Sequence, residues 1–195
     1  MKMLKNRKFA ILLTVAVAIT ATLLGVRATA GRYTRRIEAM FNDGVYIKSD
    51  NYTQPGINTH LENCLSAALG VATMLESYPK LEENAKTLLT ARRELLTAKT
   101  VKEKDKAFES MRDSFINLLN KAKSEDLTQR DKDAAAQHYK NFNGALGAMQ
   151  NSRFNEKVAE YLDGQGSITK VLASITLAKI PSYFTTSPFP EAVWP

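Results

Sequence analysis

The chain has 195 residues, 44% hydrophobic and 24% charged, which suits one domain with a proper core and excludes global disorder or low-complexity fibre. A single cysteine, Cys64, excludes an intramolecular disulfide framework and a multi-cysteine zinc site. The net charge of +7 sits at the amino end: residues 1–36 hold Lys2, Lys5, Arg7, Lys8, Arg27, Arg32, Arg35 and Arg36 and no acid, leaving 19 basic against 20 acidic groups elsewhere.

That basic excess brackets one apolar segment, so it points to a membrane and away from nucleic acid. Residues 1–8 form a basic flank. Residues 9–26, FAILLTVAVAITATLLGV, are 18 residues without a charge. At about 1.5 Å per residue this is the short end of what crosses a hydrocarbon core of about 30 Å. The run is predicted to be a transmembrane anchor with the lipid bilayer as its partner. A competing reading is a secretory signal peptide cut after Ala30, because Ala28-Thr29-Ala30 has the small-x-small form of a cleavage site. The length of the run and the load of Arg32, Arg35 and Arg36 behind it favour the anchor. Four basic side chains on each flank nearly balance the positive-inside rule. The free amino group tips the amino end inside, which puts the main domain outside the cytoplasm.

Residues 27–56 read as a helical extension of the anchor followed by an irregular connector. Asn42-Asp43-Gly44, Ser49-Asp50-Asn51 and Pro55-Gly56 are clustered turn formers there. Tyr46 and Tyr52 suit either the headgroup level or packing on the domain.

Residues 57–163 carry helical periodicity throughout. Ile57, Leu61, Cys64, Leu65, Ala68, Ala72 and Leu75 lie on one face. Leu81, Ala85, Leu88, Leu95 and Ala98 form a second stripe beyond Pro79, which suits a kink or a first helical turn. After a short joint at 99–101, Val101, Phe108, Met111, Phe115, Leu118, Leu119 and Ala122 form a third. Thr128 with Asp131 reads as a capping pair. Ala135, Tyr139, Phe142, Leu146 and Met149 form the fourth, with Phe154, Val158 and Tyr161 as its continuation up to Gly164. No run alternates at period two, so the predicted fold is all-α: an N-terminal transmembrane helix followed by an antiparallel four-helix-type bundle.

Residues 164–180 contain SITKVLASITLAKI, a short apolar helix that suits either burial across the end of the bundle or the membrane interface. Residues 181–195 form a Pro/aromatic tail with Tyr183, Phe184, Phe189 and Trp194, able to dock on a partner or to fold back on its own domain.

Candidates for chemistry are few. His60 and Cys64 share a helical face at a spacing that can place two ligands on one metal, but a zinc site needs more donors. Cys64 has no neighbouring cation or helix start to activate it and reads as a core thiol. His138, beside Tyr139 and Phe142, reads as the margin of a stripe. Glu82-Glu83, Asp131 and Asp133 alternate with lysines and read as a solvated face, without the Glu-x-x-His pairs of a di-metal bundle. Glycines 144, 147, 164 and 166 lack a phosphate-loop lysine, and Arg92-Arg93 is balanced by Glu94. No catalytic, cofactor-binding or metal residue is predicted, nor a small-molecule substrate.

Residues 91–104, ARRELLTAKTVKEK, with the stripe from Phe108 to Leu119, resemble the middle of the LemA family. Phe154-Asn155-Glu156-Lys157-Val158-Ala159-Glu160-Tyr161 is similar to its Tyr-Asn-x-x-Val-x-x-Tyr-Asn signature. Phe154 replaces the first tyrosine and Leu162 stands in place of the second asparagine, and the proline-containing turn of the family is absent around 64–68, so the chain looks like a divergent bacterial member. The resemblance implies a membrane-tethered bundle of a class without an assigned catalytic site. The function expected is a non-enzymatic role in the cell envelope, exercised by binding an unknown membrane or envelope protein. The alternatives are a secreted soluble helical binding protein released after Ala30, and an enzyme using His60 with Cys64 or His138.

Overall fold

In the computed structural model, residues 7–164, 180–189 and 194 are described, and 75% of them are helical. The elements are α1 (Arg7–Asp43), β1 (Val45–Ile47), β2 (Tyr52–Gln54), α2 (Ile57–Leu75), α3 (Glu82–Thr97), α4 (Val101–Ala122), α5 (Gln129–Gln150) and α6 (Phe154–Gly164). The apolar segment expected at 164–180 lies, from residue 165 to 179, outside the described residues.

The all-α expectation needs one correction, and so does the irregular connector. Helix α1 continues to Asp43, and the connector folds as an antiparallel hairpin in the register Val45↔Gln54, Tyr46↔Thr53, Ile47↔Tyr52. Ser49, Asp50 and Asn51 turn the chain, with Asn51 at φ 48°, and the Tyr46 hydroxyl donates to Asn51 Oδ1 at 2.9 Å. Two glycines let the hairpin sit close. Gly44 leaves α1 at φ 103°, and a Cβ there would stand 2.0 Å from the Gln54 carbonyl oxygen. A Cβ on Gly56 would stand 2.4 Å from the Asn42 carbonyl oxygen. Backbone meets backbone at both points, so only glycine fits.

The contacts divide the chain into two units, 1–38 with 157–181 and 39–156 with 182–195. In the second unit α2 packs on α5 and α3, and α3 packs on α4. All seven stripe residues of α2 are buried, as are Leu81, Ala85, Leu88 and Leu95, the α4 stripe from Phe108 to Ala122, and Ala135, Phe142, Leu146 and Met149. The centre is aromatic: Phe115 and Phe142 stack at 4.3 Å, Phe108 lies 6.0 Å from Phe142, and Phe41 meets Phe154 edge-on at 5.4 Å. Helix α4 begins with a capping box in which Thr100 Oγ1 accepts from Glu103 N and Glu103 Oε2 accepts from Thr100 N. Thr128 caps α5 through Asp131 N at 3.2 Å.

The fourth stripe does not run on into Tyr161 as one helix. The chain breaks at Asn151–Arg153, where the Gln54 amide donates to the Asn151 carbonyl (3.0 Å) and accepts from Arg153 N (2.9 Å). One side chain thus serves an end carbonyl of α5 and a backbone N–H that precedes α6.

The tail folds back. Phe184 is 2% exposed and lies 5.5 Å from Phe41 and 5.7 Å from Phe108, while Phe189 lies 5.4 Å from Phe142. Its backbone is held by side chains. Asn155 donates to Phe184 O (2.7 Å) and accepts from Phe184 N (3.0 Å), Asp105 accepts from Thr185 N (2.7 Å), and Arg112 donates to Ser187 O (3.0 Å).

In the first unit none of residues 9–26 is buried, with Leu12 68% and Leu24 62% exposed, and the helix is long and apolar enough to cross a membrane. Thr14, Thr20 and Thr22 donate to the carbonyls of Ala10, Ala16 and Ala18, each at 2.9 Å, so these hydroxyls are satisfied within the helix. Farther on, Ala30, Thr34 and Ile37 are buried. Tyr33 meets Tyr161 of α6 with ring centres 5.4 Å apart.

Candidate functional site

The residues singled out for chemistry separate into a core thiol and a polar groove. Cys64 is fully buried on α2, its Sγ 3.8 Å from the Phe142 carbonyl, and desolvation pushes its thiol far above the ordinary value. A thiol held protonated in an apolar core is a poor nucleophile and a poor metal ligand. His60, one turn earlier, turns into the groove, so the i, i+4 spacing does not bring the two together on a ligand.

The groove runs between α2 and α5 and encloses about 640 Å³. His60, Asn63 and Ser66 line it from α2, and His138, Lys140 and Asn141 from α5. Both histidines therefore face one depression, although 78 residues separate them in the chain. Burial lowers the pKa of each below the ordinary 6.5, which favours neutral rings at neutral pH. His138 is wedged against Gly70: a Cβ on Gly70 would stand 2.3 Å from His138 Cε1 and 2.4 Å from Nε2. The glycine is the recess that receives the imidazole. Among the described residues there is no group of three His, Cys, Asp or Glu side chains that could hold a metal ion.

Two carboxylates expected on a solvated face do local work. Asp131 accepts from the Tyr78 hydroxyl (2.5 Å) and from Thr128 Oγ1 (2.8 Å), which holds its pKa below the usual range. Glu82 pairs with Lys86 one turn on.

Sequence reasoning missed Lys104. Its Nζ donates to Asn58 Oδ1 at 2.7 Å and sits 5.3 Å above the Phe41 ring. Desolvation lowers its pKa, opposed by the nearby Glu62 carboxylate. A cleft of about 210 Å³ between α2, α3 and α4 opens beside it, with Leu61, Leu65 and Leu95 in its wall. The signal for this lysine is its placement across from Asn58, which a one-dimensional stripe does not carry.

A second groove, of about 440 Å³, lies in the first unit between α1 and α6, lined by Gly25, Val26, Thr29, Ala30, Tyr33 and Tyr161 among others. The signature-like stretch on α6 does structural work: Phe154 and Val158 are buried, and Asn155 clasps the tail. No protein-family model, no curated protein and no solved structure gives a significant match to this chain.

Proposed function

We propose that this chain is a single-pass membrane protein of LemA-like design, with residues 9–26 spanning the bilayer and an antiparallel four-helix-type bundle displayed outside the cytoplasm, acting by protein interaction and not by catalysis. The observation that carries this reading is the segment 9–26 itself. It holds no charge, its large apolar side chains face outward, and its three threonine hydroxyls are satisfied by their own helix. In hydrocarbon an unsatisfied polar group costs several kcal/mol, so internal pairing is what such a segment needs.

Retention of the segment is supported by its continuity with the folded chain. Ala30, the last residue before the alternative cleavage point, is 6% exposed within α1, and Thr34 and Ile37 continue its buried stripe. A cut after Ala30 would sever that helix at its packed face. The non-catalytic part of the reading is supported by the neutral, deeply buried Cys64.

The test is alkaline extraction of membranes from cells expressing the full chain, combined with amino-terminal sequencing and a carboxy-terminal reporter active only after export. The expected result is an intact chain that resists extraction, with an active reporter. A soluble product beginning at Gly31 would replace this reading with the secreted one. In-membrane crosslinking should capture one specific protein, and recovery of uncrosslinked monomer alone would refute the interaction role.

A further inference from the structure

We propose that the arginine face of α1 just beyond residue 26 binds the headgroups of anionic lipids in the leaflet through which the helix leaves the bilayer. This rests on the membrane-spanning reading and adds a headgroup chemistry to it. Arg27, Arg32, Arg35 and Arg36 all fall between the end of the apolar run and the first acid of the chain, Glu38, and all four are exposed. At 3.6 residues per turn they occupy one half of the helix circumference. The buried residues Ala30, Thr34 and Ile37 occupy the other half. The basic face is therefore turned away from the packed one.

Depth agrees with this. At ~1.5 Å per residue Arg27 begins ~2 Å past residue 26, Arg32 ~9 Å and Arg36 ~15 Å. A headgroup layer of roughly 5–8 Å covers each face of the hydrocarbon, and long arginine stems reach back toward it. Arg27 and Arg32 thus stand among the phosphates, with Arg35 and Arg36 within about one Debye length above them, ~8 Å in physiological salt.

The guanidinium groups have little else to do. Among the described residues, Arg27, Arg32 and Arg36 make no ion pair and no side-chain hydrogen bond, and Arg35 uses only its Nε, toward the Gly31 carbonyl at 3.2 Å. Arg112 and Arg153, by contrast, each pair with a carboxylate. Four guanidinium forks without acidic partners, at phosphate depth, match the bidentate geometry of lipid phosphates.

The experiment uses the full chain reconstituted into phosphatidylcholine bilayers containing a minority of phosphatidylglycerol. Spin-labelled versions of each lipid report the fraction held at the protein. The expected result is a preference for phosphatidylglycerol of about five-fold per engaged arginine, collapsing near ~1 M salt, where the Debye length is ~3 Å. The comparison is made in a background in which Lys2, Lys5, Arg7 and Lys8 are replaced by Gln, which silences the opposite leaflet. Replacing the four arginines together in that background (Arg27→Gln, Arg32→Gln, Arg35→Gln, Arg36→Gln) should abolish most of the preference that remains. A remaining preference that survives the arginine set, or no preference at all once the amino flank alone is replaced, overturns the proposal. Alkaline extraction of the same vesicles separates the two levels. A chain that stays in the bilayer without lipid preference refutes the headgroup surface alone, and a chain that washes off refutes both it and the spanning reading.

Discussion

The recess at Gly70 gives a sharp test of how α2 and α5 fit together. Replacing Gly70 by Ala puts a methyl carbon 2.3 Å from His138 Cε1 and 2.4 Å from Nε2. Carbon atoms settle at about 3.5–4.0 Å, so the ring must retreat by more than ~1 Å. Overpacking of this kind costs ~1–3 kcal/mol, while alanine in a helix interior recovers about 1 kcal/mol relative to glycine. Gly70→Ala alone should therefore destabilise by ~0–2 kcal/mol. In a His138→Ala background the clash has no target, and the same change should stabilise by about 1 kcal/mol, a coupling of ~1–3 kcal/mol between the two sites. The assay is urea unfolding of the full-length variants in detergent, followed by helical ellipticity. A second readout is the His138 titration by NMR, which burial holds below 6.5 in the parent and which should climb toward 6.5 once the ring is expelled. Additive effects with an unchanged titration would refute the wedge.

The stacked core offers a larger effect. Phe142→Ala removes a fully buried ring flanked by Phe115, Phe108 and Phe189, and should cost ~3–5 kcal/mol of unfolding free energy, seen as a lowered urea midpoint with an unchanged m-value. Gly56→Ala meets the Asn42 and Phe41 carbonyls, at 2.4 and 2.6 Å. No rotamer relieves that clash, so a loss of at least ~1–3 kcal/mol should appear as a lowered Tm. Both histidines lose their protons more readily when folded, because burial disfavours the charged rings. The unfolded chain then binds more protons just below pH 6.5, and stability should fall as pH drops through that window and level off beneath the folded values. A His60→Asn, His138→Asn double variant should flatten this slope in acid titrations. Asn155→Ala removes both bonds to the Phe184 backbone and should expose the tail to limited proteolysis while the helical spectrum is retained.

The helical stripes were legible because each is a local property. Ile57 through Leu75 and Phe108 through Ala122 are apolar at the helical period, and they are buried. What escaped depends on pairing across the chain. Strands of three residues, Val45–Ile47 and Tyr52–Gln54, are too short to display a period of two. Gly70 matters only because His138 arrives from α5, and Gln54 only because Asn151 and Arg153 come to its amide. The break between α5 and α6 leaves one local trace, the five-residue step from Met149 to Phe154, which turns the apolar face by roughly 140°; the hydrogen bonding that fixes it comes from Gln54, far off in the chain. The thiol of Cys64 reads as core from its sequence neighbours alone. The two histidines could be placed on one groove only once α2 was known to lie against α5.

The return of the tail has a consequence for synthesis. Phe41, Phe108 and Phe154 leave the ribosome well before Phe184, the ring that closes over the first two of them. Until that residue emerges, their shared face is open to water and to other nascent chains. Such early stickiness favours aggregation and chaperone capture. Stalled or truncated products lacking the last residues should thus be the forms that a cell's quality control removes first.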